Sequence, residues 1–325
     1  MRNPYKGRLT SQQIANIVGY RQNGASVCKT ADNLGYSYPQ VRAYVEWYES
    51  ALTDLAPPPE EGPKILIYDI ETAPAAVWTW AWWKTNVIAV ERDWYMLSVA
   101  YKWMGDDEVH FFCIADDPEF TPDTTEDEFV VRRLHRLFNQ ADITIAHNGD
   151  RFDLTKANAR FLVHNLGPTS PVQTIDTLKE SRRYFNQYSH SLKELTRYLD
   201  IEQKMQNDGW DLWRGCMRGD PEWWEKMEEY NRQDVVALEE LYLKIRPFIG
   251  TPGKRAHPNL GHWSKGKLVC PNCQSEKVHR RGSGEALHRT IVSEFQTIHC
   301  QNCGAYSRLR QRIPQPSPSY RVGAL

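Results

Sequence analysis

The sequence predicts an α/β protein: a central mixed sheet flanked by helices, with a small all-α unit before it and a small β unit after it. Three observations carry that expectation. Runs of β-branched and aromatic residues near 64–71, 94–103, 108–114 and 142–147 have strand composition. Near 125–140 and beyond 153, apolar residues recur at helical spacing. The two ends of the chain differ from the middle in charge, and each has its own punctuation of capping residues or paired cysteines. The expected boundaries are a helical unit over 1–53, a linker over 54–63, the α/β core over 64–250, the β unit over 251–313 and a Pro- and Ser-rich disordered tail over 314–325.

At the N-terminus, Thr10-Ser11-Gln12-Gln13 has the pattern of a capping box. It opens a helix through about Arg21, with Ile14, Ile17 and Val18 on one face and Gly24 ending it. A second short helix over Val27–Leu34 contributes Ala31 and Leu34, and Gly35 makes the turn. Ser37-Tyr38-Pro39-Gln40 is another capping box, with proline in the first turn, where its missing N–H costs nothing. The third helix runs to about Tyr48 with Val41, Tyr44, Val45 and Tyr48 at core spacing. This arrangement reads as a helix-turn-helix whose last helix would present Tyr38, Gln40 and Arg42 to a DNA groove. Three-helix units of this size also serve as protein-binding or purely structural modules. The segment Asp54 to Pro63, with three consecutive prolines, reads as a stiff polar linker.

In the core, the strand Lys64–Glu71 alternates its side chains, so Asp69 and Glu71 point to the same side and Ile70 to the other. The runs at 94–103 and 108–114 continue an antiparallel meander, and Asp123 or Thr125 is positioned to cap the helix that follows. Ile143–Ala146 reads as a buried strand ended by Asn148 and Gly149, with Asp153 where the next helix begins. Asp176 follows another strand-like run. A later helix, capped by Asp220 with Pro221 in its first turn, carries Trp223 and Trp224 as core residues. Tyr230 and Asp234 lie one turn apart on a single face, and Val235, Leu238, Leu241, Tyr242 and Ile245 continue it.

Singly, these acids are unremarkable: a polar strand end, a helix cap, one exposed carboxylate among many. Together, Asp69, Glu71, Asp153 and Asp234 have one common use, holding two divalent cations over a phosphate. Mg²⁺ or Mn²⁺ is a hard cation suited to carboxylates, water and phosphate oxygens. Two such ions about 3.5–4 Å apart clamp the attacking and leaving oxygens of an in-line displacement. Asp69 is the expected bridge, and Tyr230 the group that orients the attacking water. A phenol pKa near ~10 makes Tyr230 a poor base at neutral pH.

Tyr68-Asp69-Ile70-Glu71-Thr72, the Asn-x-x-x-Phe-Asp run from Asn148 to Asp153, and the Tyr-x-x-x-Asp of Tyr230 and Asp234 resemble the three motifs of the DnaQ-like exonucleases of the RNase H-like fold. The branch is the one with tyrosine in its third motif. Ser191-Leu192-Lys193-Glu194-Leu195 is similar to a segment between the second and third motifs in B-family DNA polymerase proofreading domains. The resemblance covers about residues 64–249. It implies catalysis by Asp69, Glu71, Asp153, Tyr230 and Asp234, 3′→5′ removal of nucleotides from DNA, and a strand-end pocket lined by Asn148 and Phe152. It further implies single-stranded 3′ ends as substrate and a supporting place for Asp176. Too few residues remain for a polymerase domain, so proofreading or repair would act in trans, beside a polymerase or another replication protein. A 3′→5′ exoribonuclease would use the same five residues. A non-catalytic DNA-binding adaptor would need only the flanks. A recombinase or transposase shares the fold, but the Asp-x-Glu pair and the Tyr-x-x-x-Asp run speak against it.

Of seven cysteines, four form Cys270-Pro271-Asn272-Cys273 and Cys300-Gln301-Asn302-Cys303, with 26 residues between the pairs. Four thiolates from two such knuckles complete a tetrahedral structural site for one Zn²⁺, leaving no open position for zinc catalysis. Gly304 suits the turn, and Thr290–Val292 and Phe295–Ile298 are β-like, so the unit reads as a zinc ribbon. A disulfide pair is the alternative, and nothing else in the chain suggests an oxidising compartment. Cys28, Cys113 and Cys216 read as ordinary thiols. His279, Arg280, Arg281, His288, Arg289, Arg308, Arg310 and Arg312 make a basic surface for DNA or RNA, unless it is merely solvated.

The net charge of −1 hides an asymmetry. Residues 1–50 carry 6 basic and 3 acidic side chains, residues 251–325 carry 12 and 3, and the middle carries 22 and 35. Basic flanks around an acidic core suit a nuclease whose appendages grip a phosphate backbone. A 41% hydrophobic and 25% charged composition is that of a globular protein, against a disordered or fibrous one. No apolar run approaches the ~20 residues needed to cross a bilayer, and the basic N-terminus lacks a signal-peptide core, so the expected location is the cytoplasm (of the host, for a viral chain). Trp78, Trp80, Trp82 and Trp83 cluster between the first two core strands. Such clusters more often pack or dock a partner than stack on bases.

Overall fold

Alternation decides how the central strand is buried. In β1 (Ile65–Ala73), Leu66, Tyr68 and Ile70 enter one apolar cluster, while Ile65 and Ile67 enter another on the opposite face. The structure, a computed structural model, describes residues 13, 16–17, 20, 25–52, 55–83, 85–117, 120–201, 209–249, 257–280, 287–290 and 293–314. Thr10 to Gln12, Ile14, Val18, Arg21, Gly24, Asp54, Arg281 and the tail beyond 314 lie outside those residues.

Around β1 a five-stranded mixed sheet runs β5-β4-β1-β6-β7, with β4 Tyr95–Trp103, β5 His110–Cys113, β6 Ile143–Ala146 and β7 Gln173–Asp176. The β1–β4 and β4–β5 pairs are antiparallel, as the meander predicts, whereas β6 and β7 join in parallel. Helices α3 (Glu128–Gln140) and α4 (Asp153–Val163) cover one face, burying Leu134, Leu137, Phe138 and Phe161 with Leu66, Tyr68 and Ile70. The 25-residue helix α8 (Pro221–Ile245) covers the other, placing Val235, Leu238 and Tyr242 against Ile65, Ile67, Ile143 and Ile145. This is the mixed sheet flanked by helices expected of an RNase H-like fold. Helices α5 (Thr177–Tyr184), α6 (Leu192–Tyr198) and α7 (Trp210–Arg218) fill the interval before α8.

The N-terminal helices are α1 (Val27–Leu34) and α2 (Tyr38–Leu52), and Gln13, Asn16, Ile17 and Tyr20 are also helical. The α1 bounds match expectation: Ser26 Oγ accepts from Lys29 N at 3.2 Å, and Gly35 closes the helix at φ +66°, a conformation that favours glycine. At the second box, Ser37 donates to the Gln40 side chain at 2.7 Å. Ile17, Ala31, Val41, Tyr44 and Val45 are buried in the same cluster as Trp103 and Phe112 of the sheet. The proline-rich segment is pinned there too, Ala56 N donating to Tyr101 Oη at 2.8 Å and Trp103 Nε1 to Ala56 O at 3.0 Å.

The expected cap of α3 needs correction. Neither Asp123 nor Thr125 caps α3; the N-cap position belongs to Asp127. Its carboxylate does not cap either, because Arg160 takes both oxygens at 2.7 and 2.5 Å and Met96 N donates at 2.8 Å. The sequence reading also had no place for the hairpin of β2 (Ala76–Trp78) and β3 (Ala89–Arg92), which forms its own two-stranded sheet.

The C-terminal unit is a separate small sheet. Its central strand β10 (Glu294–Cys300) pairs with β11 (Tyr306–Arg312) on one side and with β8 (Val278–Arg280) and β9 (His288–Arg289) on the other. The expected strand over 290–292 is not formed at Thr290, which turns back to Ser293; residues 291 and 292 lie outside the described set.

Candidate active site

Asp69 and Glu71 leave β1 on the face that α8 crosses, paired across the ladder with Ala100 and Ser98. From α8, Asp234 reaches the same spot. One carboxylate oxygen each from Asp69, Glu71 and Asp234 lie within 4.8 Å of one another. Asp153 stands beside this trio at the first position of α4, 2% exposed, accepting the Ile70 amide at 3.3 Å. Ile70 is thus flanked by two site acids while its amide holds a third.

The turn that delivers Asp153 is tightly built. Asn148 sits at φ +66°, and a Cβ on Gly149 would lie 2.4 Å from Ala146 Cβ, so only glycine fits. Asp176 accepts from Asn148 N at 2.9 Å, Asp150 N at 3.4 Å and Leu178 N at 3.0 Å. It therefore fixes the turn and caps α5 at once. Asn148 is half-buried and Phe152 is 39% exposed beside Asp153, with Lys156 Nζ 5.1 Å from its ring.

Every site carboxyl resists ionisation. Burial, then Glu71, Asp153 and Asp234, hold Asp69 well above the usual carboxylate range. Burial and the neighbouring Asp234 and Asp153 push Glu71 up to about 8. Burial lifts Asp153 to about 7 and Asp234 to about 6, the latter restrained by a hydrogen bond from Tyr230. Burial, followed by the charges of Asp234 and Glu71, drives the Tyr230 phenol upward, so it keeps its proton. A cluster short of positive charge is what a divalent cation corrects.

Three supporting residues escaped the sequence reading. Asn231, fully buried, donates to Asp69 Oδ2 at 2.6 Å, and Ser98 Oγ donates to Asn231 Oδ1 at 3.1 Å. Asn231 adjoins Tyr230, and its place in the third motif was the available signal. Trp213 of α7 hydrogen-bonds Glu71 and meets the Tyr230 ring edge-on, centroids 6.1 Å apart. No motif marked it. The clustered tryptophans do not pack: Trp78, Trp80, Trp82 and Trp83 are 61–95% exposed. Trp224 is buried as expected, and Trp223 half-buried.

The four cysteines of the C-terminal unit converge. Cys270 and Cys303 sulfurs are 3.7 Å apart, as are those of Cys273 and Cys300. A covalent S–S bond is about 2.05 Å, whereas the edge of a tetrahedron with metal–sulfur bonds of about 2.3 Å is about 3.8 Å. The donor set fits a tetrahedral metal. Burial raises the Cys300 thiol, but the Cys303 and Asn302 amides outweigh it and bring the group down to about 7, toward the thiolate a metal needs. Gly304 turns at φ +79° and donates to Cys300 O at 3.0 Å. Cys28, Cys113 and Cys216 are free.

A family model described as the RNase_H superfamily matches residues 91–246. That span holds Asp153, Tyr230 and Asp234 and begins after Asp69 and Glu71. Among solved structures, the family B DNA polymerase of the hyperthermophilic archaeon Pyrobaculum calidifontis is similar at 16% identity and a TM-score of 0.40. The alignment covers 60% of this chain and 26% of the polymerase, and it decides nothing about activity. No curated protein matches the chain. Fold, family match and acidic cluster support a nuclease that uses divalent metal. Among the described residues, no helix is long and apolar enough to cross a membrane.

Proposed function

We propose that the chain is a 3′→5′ exonuclease acting on single-stranded ends of DNA. The observation that carries this reading is the meeting of Asp69, Glu71 and Asp234 from two elements, with Asp153 alongside and Tyr230 bonded to Asp234. Asp69, Glu71, Asp153 and Asp234 would hold two ions of Mg²⁺ or Mn²⁺, with Asp69 shared. Those cations, when bound, supply charge for the phosphate and acidify the attacking water.

The chain's own residues do the rest. Tyr230, protonated, donates and orients without abstracting a proton. Asn231 fixes the rotamer of Asp69, and Trp213 that of Glu71. Asn148 and Phe152 line the place of the terminal nucleotide, Phe152 offering an exposed ring for its base. The four cysteines would hold one structural Zn²⁺, and α1 and α2 with the preceding helical residues would form a helix-turn-helix. Action in trans to a polymerase, in proofreading or repair, fits a chain of this kind.

The test is release of mononucleotides from a 3′-end-labelled single strand with Mg²⁺ or Mn²⁺. Asp69→Ala and Asp234→Ala should each abolish it, and undiminished release by either would overturn the reading. Matched DNA and RNA strands in the same assay decide between the deoxyribonuclease and the exoribonuclease.

A further inference from the structure

The sheet of the C-terminal unit has two unlike faces. Alternation puts Thr297 and His299 on one side and Ile298 and Cys300 on the other. The register with β11 shifts between Phe295 and Thr297, and the Arg308 guanidinium, from the partner of Thr297, joins the Phe295 ring to the first side. The second side is the more covered one. Ile298 is 3% exposed and lines a pocket with Leu268, Val269 and Pro271, which Arg308 also borders, and Cys300 belongs to the cysteine cluster.

The first side is open, and its composition is not that of a merely solvated sheet. His299 stacks on Tyr306 with centroids 4.4 Å apart and planes 20° from parallel, and Tyr306 is 57% exposed. The Arg308 guanidinium lies 3.9 Å above the Phe295 ring. Arg312 pairs with Phe295 across the ladder, and His279 pairs with His299. Among the described paired positions of this face no side chain is acidic. Cations and flat rings thus alternate on one surface, in a segment that carries 12 basic and 3 acidic groups.

We propose that this face binds single-stranded DNA, with unpaired bases stacked on Tyr306 and phosphates held by Arg308 and Arg312. The choice of ligand rests on the exonuclease reading; the chemistry of the face does not. Rings of this kind gain from bases whose faces are free, which a duplex conceals, and guanidinium groups match phosphate oxygens. The acidic middle of the chain repels a phosphate backbone, so a strand needs a hold elsewhere.

Equilibrium binding of a fluorescein-labelled single-stranded oligonucleotide to the full chain carrying Asp234→Asn tests this. Tyr306→Ala should weaken binding roughly 5- to 150-fold, the range for loss of one stacked base, and Tyr306→Phe should retain it. Arg308→Gln with Arg312→Gln should lower the slope of log affinity against log salt by about 1.4, at about 0.7 per phosphate contact on a single strand. Parental affinity and salt slope in both variants would overturn the proposal. So would equal dependence of duplex binding on Tyr306, or a matched RNA strand held ten-fold tighter than DNA. Tyr306-dependent binding by a chain that releases no nucleotide with Asp234 intact would end the exonuclease reading and leave this one standing.

Discussion

Asn231 is held by Ser98 and in turn holds Asp69, a buried relay with no exposed member to absorb change. Asn231→Ala removes the hydrogen bond that favours the Asp69 carboxylate. Metal affinity or turnover should fall about 10- to 100-fold, as for other partners that orient metal ligands. The rising limb of the pH–rate profile should also move to higher pH, since Asp69 then ionises less readily; an unmoved limb would assign Asn231 to packing alone. Tyr230→Phe should cut turnover while calorimetry finds metal binding largely intact. The raised carboxyls give a further test. Their folded values, about 8 for Glu71, about 7 for Asp153 and about 6 for Asp234, exceed the unfolded ones near ~4. The folded state therefore binds extra protons, and stability from this cluster is lost as pH rises from about 4 through 8. A divalent cation should offset that loss, so its increment in Tm should be larger at pH 8 than at pH 6.

The turn between β6 and α4 is tightly constrained. Gly149→Ala would drive a methyl into Ala146, and the turn must shift to relieve it. Overpacking of that kind costs about 1–3 kcal/mol, readable as a lower urea midpoint, and nucleotide release should fall with it. Periodicity made much of this layer legible. The two-sided burial of β1 and the shared face of Tyr230 and Asp234 follow from spacings of two and four, and the start of α4 at Asp153 from the Asn148-Gly149 turn before it. What spacing does not encode is partnership across the chain. Asp127 sits at a cap position, yet Arg160, 33 residues on, claims its carboxylate. Trp213 approaches Glu71 from a helix without a motif. The β2–β3 hairpin escaped because its strands are short and exposed, with no buried face to impose alternation.

Across the whole molecule, the N-terminal helices share a core with the sheet instead of standing apart. Val41, Tyr44 and Val45 are buried in the cluster that contains Trp103, Phe112 and Leu134. Deleting residues 1–53 should therefore lower Tm as well as any affinity for nucleic acid; an unchanged melting curve would make that unit a detachable one. Each buried aliphatic side chain stripped of its cover costs about 1.5–3 kcal/mol, so losing several is a large share of a typical domain's stability.

Ile70 ties three parts of the fold together. Its side chain faces α3 and α4, its neighbours Asp69 and Glu71 face α8, and its N–H steadies Asp153. A slip of β1 by a single residue would swap both layers and release that acid in one stroke. Misregistered copies should consequently lack the assembled carboxylate cluster, so correct threading of this one strand is the condition for any metal-dependent chemistry here.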